Sequence, residues 1–492
     1  MELCRDVEKS TNIYPERVLH TWASKYGHLF SIWMGTQLAV VISDPKVARD
    51  LLVNNGALFS SRKRYFVKNQ TVLRGRAITA SEYGDTWRHH RKLAMQLLTL
   101  KAVEGYADNL NYEARILTRT LMEGSRFGHI PLNPHHYAGR YALNEDPLVA
   151  RALELTVEFM DLTGPWANAI DFFEPLQWIP STMKHRGHKL HDNLIEVYGG
   201  MIMRVKTKFD AGKFVPDCLV KTLLQNQEKE KLDCACCLLF LISGIIQWFL
   251  ALIPSYPEVA LRTQKDLDEV VGRARLPAAE DEINLPYIRA VIKEVQRVHA
   301  SFWTATPHYT SENFSYKGHF IPKNTLVVLN CWTLHHNEAR YNDPMKFNSD
   351  RFLEDNLSCA ESAKLPDVMD HDHWAFGAGI CPGIHVAERE LWLAISQLLW
   401  AFNFYSLPDE PISLEEYEGL SGRTPVPFRL RLEPRHDQVN PSRKFEDWTG
   451  SLADRIRELA RDLDRWHRED RRRGRRESMG NRAMLRPLKS VF

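Results

Sequence analysis

The sequence lacks an apolar leader. Glu2, Arg5, Asp6, Glu8, Lys9, Glu16, Arg17 and Lys25 break up the stretch from Met1 to Gly27, so no signal peptide or spanning helix is expected there. Cysteine is scarce as well. Eight cysteines in 492 residues do not make a secreted disulfide framework, and the expected compartment is reducing. Cys234, Cys236 and Cys237, taken with His371 and His373, match no common zinc-finger spacing; they run into Leu238 to Leu241 and read as packed core. Glycine and proline, 25 of each, are too few to signal disorder, and no internal repeat is present. A net charge of +2 gives no reason to expect a nucleic-acid partner.

What is present is one cysteine on a glycine-rich turn, Phe376-Gly377-Ala378-Gly379-Ile380-Cys381-Pro382-Gly383. Glycines bring backbone N–H groups close to a sulfur, and Pro382 and Gly383 suit the entry to a helix. Ile384, Ala387, Leu391, Ala394, Ile395, Leu398 and Phe402 recur near every 3.6 residues, which predicts a helix over Gly383 to Phe402. Its positive end should favour Cys381 as a thiolate, the form that binds a metal. A structural, buried cysteine is the alternative reading of the same stretch.

Three other motifs stand in order along the chain. Trp87-Arg88-His89-His90-Arg91 lies upstream, Glu294 and Arg297 share a helical face within Tyr287 to Arg297, and Arg351 sits in Phe347-Asn348-Ser349-Asp350-Arg351-Phe352. Tyr26-Gly27, Tyr83-Gly84-Asp85, Tyr256-Pro257-Glu258-Val259 and Trp332 to Asn337 followed by Asp343-Pro344 extend the series. With the cysteine turn, this ordered set resembles the cytochrome P-450 haem-thiolate monooxygenases, in particular the fungal microsomal type, from roughly Trp22 to Pro434.

The resemblance implies a mainly α fold with small β-sheets and haem b bound through Cys381, with Phe376 beside the sulfur. It implies a buried charge network of Glu294, Arg297 and Arg351, and propionate contacts from Trp87, Arg91 and His308. The implied reaction is insertion of one oxygen atom into a lipophilic small molecule, in fungal secondary metabolism. Electrons would come from NADPH through a flavoprotein, NADPH-cytochrome P-450 reductase. The implied place is the cytoplasmic face of the endoplasmic reticulum, or the cytoplasm if the chain has no anchor; peripheral membrane contact is compatible with either.

The chain departs from the family's pattern at two places. Ile380 follows Gly379 directly, so the turn is two residues short of the form Phe-Gly-x-Gly-x-Arg-x-Cys and lacks its arginine. In the apolar stretch from Cys234 to Leu252, Ser243-Gly244-Ile245-Ile246-Gln247 puts Ile246 and Gln247 where an acid and a threonine are expected; Gln247 or Ser243 would then have to hold the water that serves oxygen activation. The link from Asn133 to Asn144 is also short. Two further readings follow: a haem-thiolate enzyme that uses peroxide or rearranges its substrate, and a degenerate homologue acting as a scaffold.

One domain over residues 1–439 is expected, then a basic extension over 440–492. The extension holds fifteen Lys/Arg against nine Asp/Glu, so the rest of the chain carries −4. Within it Leu452, Ile456, Leu459, Leu463 and Trp466 follow a 4,3,4,3 spacing that predicts a short amphipathic helix. Phe30 to Ser43 and Phe314 to Leu329 alternate like strands with turns at Gly35 and at Lys317-Gly318, while most of Pro45 to Leu121 and Asp146 to Val271 reads helical.

Overall fold

Buried on every side from Leu391 to Ala401, the predicted helix behind Cys381 forms the centre of a computed structural model of the protein. The structure describes residues 14–75, 78, 81–135, 137–138, 147–164, 167–213, 215, 219–225, 239–367, 369–374, 381–419 and 422–436. The basic extension, Phe376 and Cys234 to Cys237 lie outside them.

The chain opens with helix α1 (Pro15–Tyr26), which buries Leu19 and Ala23. Strands β1 (Leu29–Met34) and β2 (Gln37–Ile42) follow as an antiparallel hairpin. At its turn Gly35 has φ +58°, and a Cβ there would stand 2.7 Å from the Phe172 carbonyl oxygen, so glycine is required twice over. Helices α2 (Asp85–Leu97), α3 (Ala107–Gly124), α4 (Pro147–Leu162) and α5 (Thr182–Asp210) come next. Between β2 and α2 the stretch expected to be mostly helical consists of short pieces, Pro45–Ala48 and Gly56–Phe59, with wide turns at Arg49–Asn54 and Phe66–Val72.

Helix α6 (Leu239–Leu252) is almost wholly apolar, and from Ile242 onward it is buried. Among the described residues no single helix is long and apolar enough to cross a membrane. Helices α7 (Pro257–Val270) and α8 (Pro286–Val298) both start with proline, whose missing N–H costs nothing at that position. Strand β3 (His308–Tyr309) and strand β4 (Leu326–Leu329) complete a sheet of order β1-β2-β4-β3, in which β2 and β4 run parallel. The turn expected at Lys317-Gly318 is present, with both residues at positive φ, between short strands at Phe314–Tyr316 and His319–Ile321.

Helix α9 (Ile384–Ala401) packs against α3, α6, α7 and α8. It stops one residue earlier than the periodicity predicts, because Phe402 turns extended and begins β5 (Phe402–Ser406), paired with β6 (Leu430–Pro434). Such all-round burial explains why Trp392, Leu393, Leu399 and Trp400 are apolar as well as the periodic positions.

Candidate active site

Glu294 and Arg297 lie one turn apart on α8, both fully buried. The guanidinium grips the carboxylate twice, Nε to Oε2 and Nη2 to Oε1, each at 2.7 Å. Its Nη1 donates to the carbonyls of His335 and Pro344, both at 2.8 Å. Arg351 Nε reaches Glu294 Oε1 at 3.3 Å, and the Asn348 N–H donates to the same oxygen at 2.9 Å. The three predicted network residues are thus in one place, and the bidentate fork is the strong form of such a pair. His335 extends the block: its Nδ1 is 2.9 Å from the Arg297 carbonyl oxygen, while its Nε2 accepts from the Trp374 N–H at 2.7 Å. Burial holds His335 neutral. The backbone is therefore pinned at Trp374, seven residues before Cys381.

Cys381 precedes α9 and is half-buried. The expectation that the helix end makes it a thiolate is corrected here. Burial pushes the thiol up, and the Gly383 N–H and the Arg91 charge only partly oppose it. Desolvation outweighs the helix end in the protein without a bound cation.

Arg91 is on α2, with its guanidinium 5.3 Å over the Trp87 ring. Trp87 donates its indole N–H to the Ile78 carbonyl at 3.0 Å. His308, on β3, has Nδ1 2.7 Å from the Phe59 carbonyl oxygen, which leaves Nε2 for another partner; burial and Arg62 keep its pKa well below the usual value. Arg62 was not expected in the site. Its Nη1 bonds the Thr306 carbonyl and, at 3.0 Å, the Pro307 carbonyl, and burial with help from nearby Arg91 lowers it to about 10. In the sequence it is one of three consecutive basic residues, Arg62-Lys63-Arg64, a pattern that reads as a solvated run.

Gln247 and Ser243 stand one turn apart on α6, both buried, with Gln247 Nε2 donating to Ser243 Oγ at 3.0 Å. Gln247 Oε1 has no hydrogen-bond partner among the described residues. Gly244, between them, lies against Ser301 and Thr424: a Cβ would sit 3.1 Å from Ser301 Oγ. The loop from Ser301 to Pro307 therefore touches α6 at one end and Arg62 at the other.

The cytochrome P450 family model matches residues 10–432 of the chain. The chain belongs to the cytochrome P450 family. A cytochrome P450 monooxygenase, polD, of Polytolypa hystricis is 30% identical over 450 residues, covering 87% of each chain. Another, verL of Clonostachys rogersoniana, is 30% identical over 85% of this chain and 82% of its own. A solved zebra fish cytochrome P450 with progesterone shares the fold at TM-score 0.71 and 22% identity, covering 86% of this chain and all of that one. The family's cofactor is haem, an anionic group around iron. The residues present fit it: one part-exposed thiol has a guanidinium acting on it, and Arg62 and Arg91 concentrate positive charge in a largely enclosed place beside the neutral imidazole of His308.

Proposed function

We propose that this cytochrome P450 is a haem-thiolate monooxygenase that inserts one oxygen atom from dioxygen into a lipophilic small molecule of fungal secondary metabolism. Cys381 is the proximal ligand, and Arg91 and Arg62 hold the propionates; Trp87, whose indole N–H is given to the Ile78 carbonyl, lies under the Arg91 guanidinium, and His308 stands beside Arg62. Bound haem supplies the oxygen chemistry, with the thiolate's electron density favouring O–O cleavage. The observation that carries the reading is Arg91 acting on Cys381 within a family match spanning residues 10–432.

The chain's own groups have separate tasks. Arg91 and the Gly383 N–H stabilise charge on the Cys381 sulfur, and the Glu294–Arg297–Arg351 block fixes the backbone before it. Gln247 Oε1 can accept a hydrogen bond from water beside the Ser243 hydroxyl, so this pair would hold a water where an acid and threonine otherwise stand, without itself taking up a proton. Electrons from NADPH would reach the site through a flavoprotein reductase, which itself oxidises the nicotinamide.

The molecule rests on the cytoplasmic face of the endoplasmic reticulum. Phe173, Leu176, Trp178 and Ile179 are exposed together, Trp178 at 88%, and the β1–β2 hairpin carrying exposed Trp33 packs on Phe172 and Phe173. Aromatic and aliphatic groups of this kind suit a lipid interface.

The test is the reduced, carbon-monoxide difference spectrum of the purified full chain. The long-wavelength Soret band that names the family is expected, and Cys381→Ser abolishes it; a wild-type chain without that band overturns the proposal. NADPH consumption with reductase and lipophilic compounds then separates monooxygenation from peroxide-dependent turnover.

A further inference from the structure

Behind the cysteine turn, Cys359, Asp372 and His373 bring a sulfur, a carboxylate oxygen and an imidazole nitrogen within 4.8 Å of one another, all buried. Gln296, one residue before Arg297 on α8, adds a fourth donor. Its Oε1 is 3.1 Å from His373 Nε2 and 3.9 Å from Cys359 Sγ, and the sulfur is 3.6 Å from Nε2. A tetrahedral zinc ion with ordinary bond lengths separates its sulfur and nitrogen ligands by about 3.6 Å and its nitrogen and oxygen ligands by about 3.4 Å. The three spacings among Cys359, His373 and Gln296 agree with that cage to within a few tenths of an ångström, and the Asp372 carboxylate lies within 4.8 Å of the sulfur and the imidazole nitrogen. We propose that Cys359, His373, Asp372 and Gln296 form a structural zinc site.

The orientation of each donor is accounted for. Asp372 Oδ1 accepts from the His373 N–H at 2.6 Å, and the Cys359 thiol is within hydrogen-bond reach of the same carboxylate. His373 presents Nε2 to Gln296 Oε1 and Cys359 Sγ, which makes Nε2 the ligating atom. The nearest cation, Lys293 Nζ, is 3.3 Å from Asp372 Oδ2 but is bonded at 2.7 Å to Asp355 Oδ2 and at 2.7 Å to the Leu357 carbonyl. It is anchored elsewhere and screens the site on one side.

Charge favours an ion here. Asp355 and Asp372 face one ammonium, Lys293, and Glu388 Oε1 accepts from the Cys359 N–H at 2.5 Å. The cluster without metal is thus negative by at least one unit. On zinc binding the S–H bond breaks, the S–Zn bond forms and the proton leaves to solvent; +2 from the ion and −1 from the thiolate bring the sum of Asp355, Asp372 and Lys293 to zero. Thiolate with imidazole is a donor pair that selects zinc over magnesium or calcium. Cys381 packs against Cys359, Ala360 and Ile384, so the ion would tie α8 to the floor under the haem ligand. The site is independent of the haem assignment.

The experiment is metal analysis of the full, haem-loaded chain after dialysis against metal-free buffer. Wild type is expected to hold about one zinc per chain, and Cys359→Ser and His373→Ala to hold almost none, with helical circular dichroism retained. If the variants fail to fold, the wild type decides: cobalt(II) exchanged for zinc is expected to show a thiolate charge-transfer band. Wild type without zinc and without that band, or variants that keep their zinc, would leave only a hydrogen-bonded cluster centred on Gln296 and overturn the proposal.

Discussion

Two enclosed arginines in this protein are treated in opposite ways. Arg297 has a carboxylate on one edge and two carbonyls on the other, and its charge is cancelled within one helical turn. Among the described residues Arg62 has only carbonyls as hydrogen-bond partners, and burial, with Arg91 nearby, lowers its proton affinity. The first is complete within the protein. The second is complete only when something anionic joins it, so an unbalanced buried charge marks the site and a balanced one marks the scaffold.

Removing the balanced charge should do the larger damage. Arg297→Leu leaves Glu294 ionised in the core and is expected to cost about 3–5 kcal/mol, read as a fall in thermal midpoint with or without haem. If the loss is under 1 kcal/mol, the comparison fails. Arg62→Ala should act the other way: the haem-free chain keeps or gains stability, while the haem dissociation rate rises about tenfold, the loss of one charge-assisted bond of roughly 1.5 kcal/mol. Stopped-flow transfer of haem to a scavenger measures it, and an unchanged rate would remove Arg62 from the site.

A gentler probe uses acids in place of bases. Glu113 on α3 and Glu390 on α9 are raised by burial to about 7 and about 8, and Glu390 also by its neighbour Glu113. Their folded pKa values exceed those of the unfolded chain, so between about pH 5 and pH 8 the folded state holds the extra protons and stability falls as pH rises. Glu390→Gln should flatten that fall in a series of melting curves, by an amount smaller than either arginine effect. A slope unchanged by the substitution would show that these two carboxyls do not control it.

How much of this was legible beforehand depended on sequence distance. Glu294 and Arg297 are three residues apart on a strongly periodic stretch, and the turns at Gly35 and Lys317-Gly318 are local chemistry, so the residues announced them. Ser243 and Gln247 pair at i,i+4 for the same reason. Arg62 meets its carbonyls across 244 residues, and the donors of the zinc cage join Gln296 to His373 across 77. No periodicity reports such meetings. The helix end beside Cys381 misled for a different reason: the dipole is read from the sequence, but the desolvation that outweighs it exists only once the chain is packed.

The closure of Arg297 onto Pro344 spans 47 residues and bears on synthesis as well as on stability. A ribosome adding about 5–20 residues per second needs roughly 2–10 seconds to pass from the first to the second. For that interval α8 has its pair of opposite charges but not the backbone that encloses them. Cys381 comes later still, so the scaffold of the site can close before its ligand has been made.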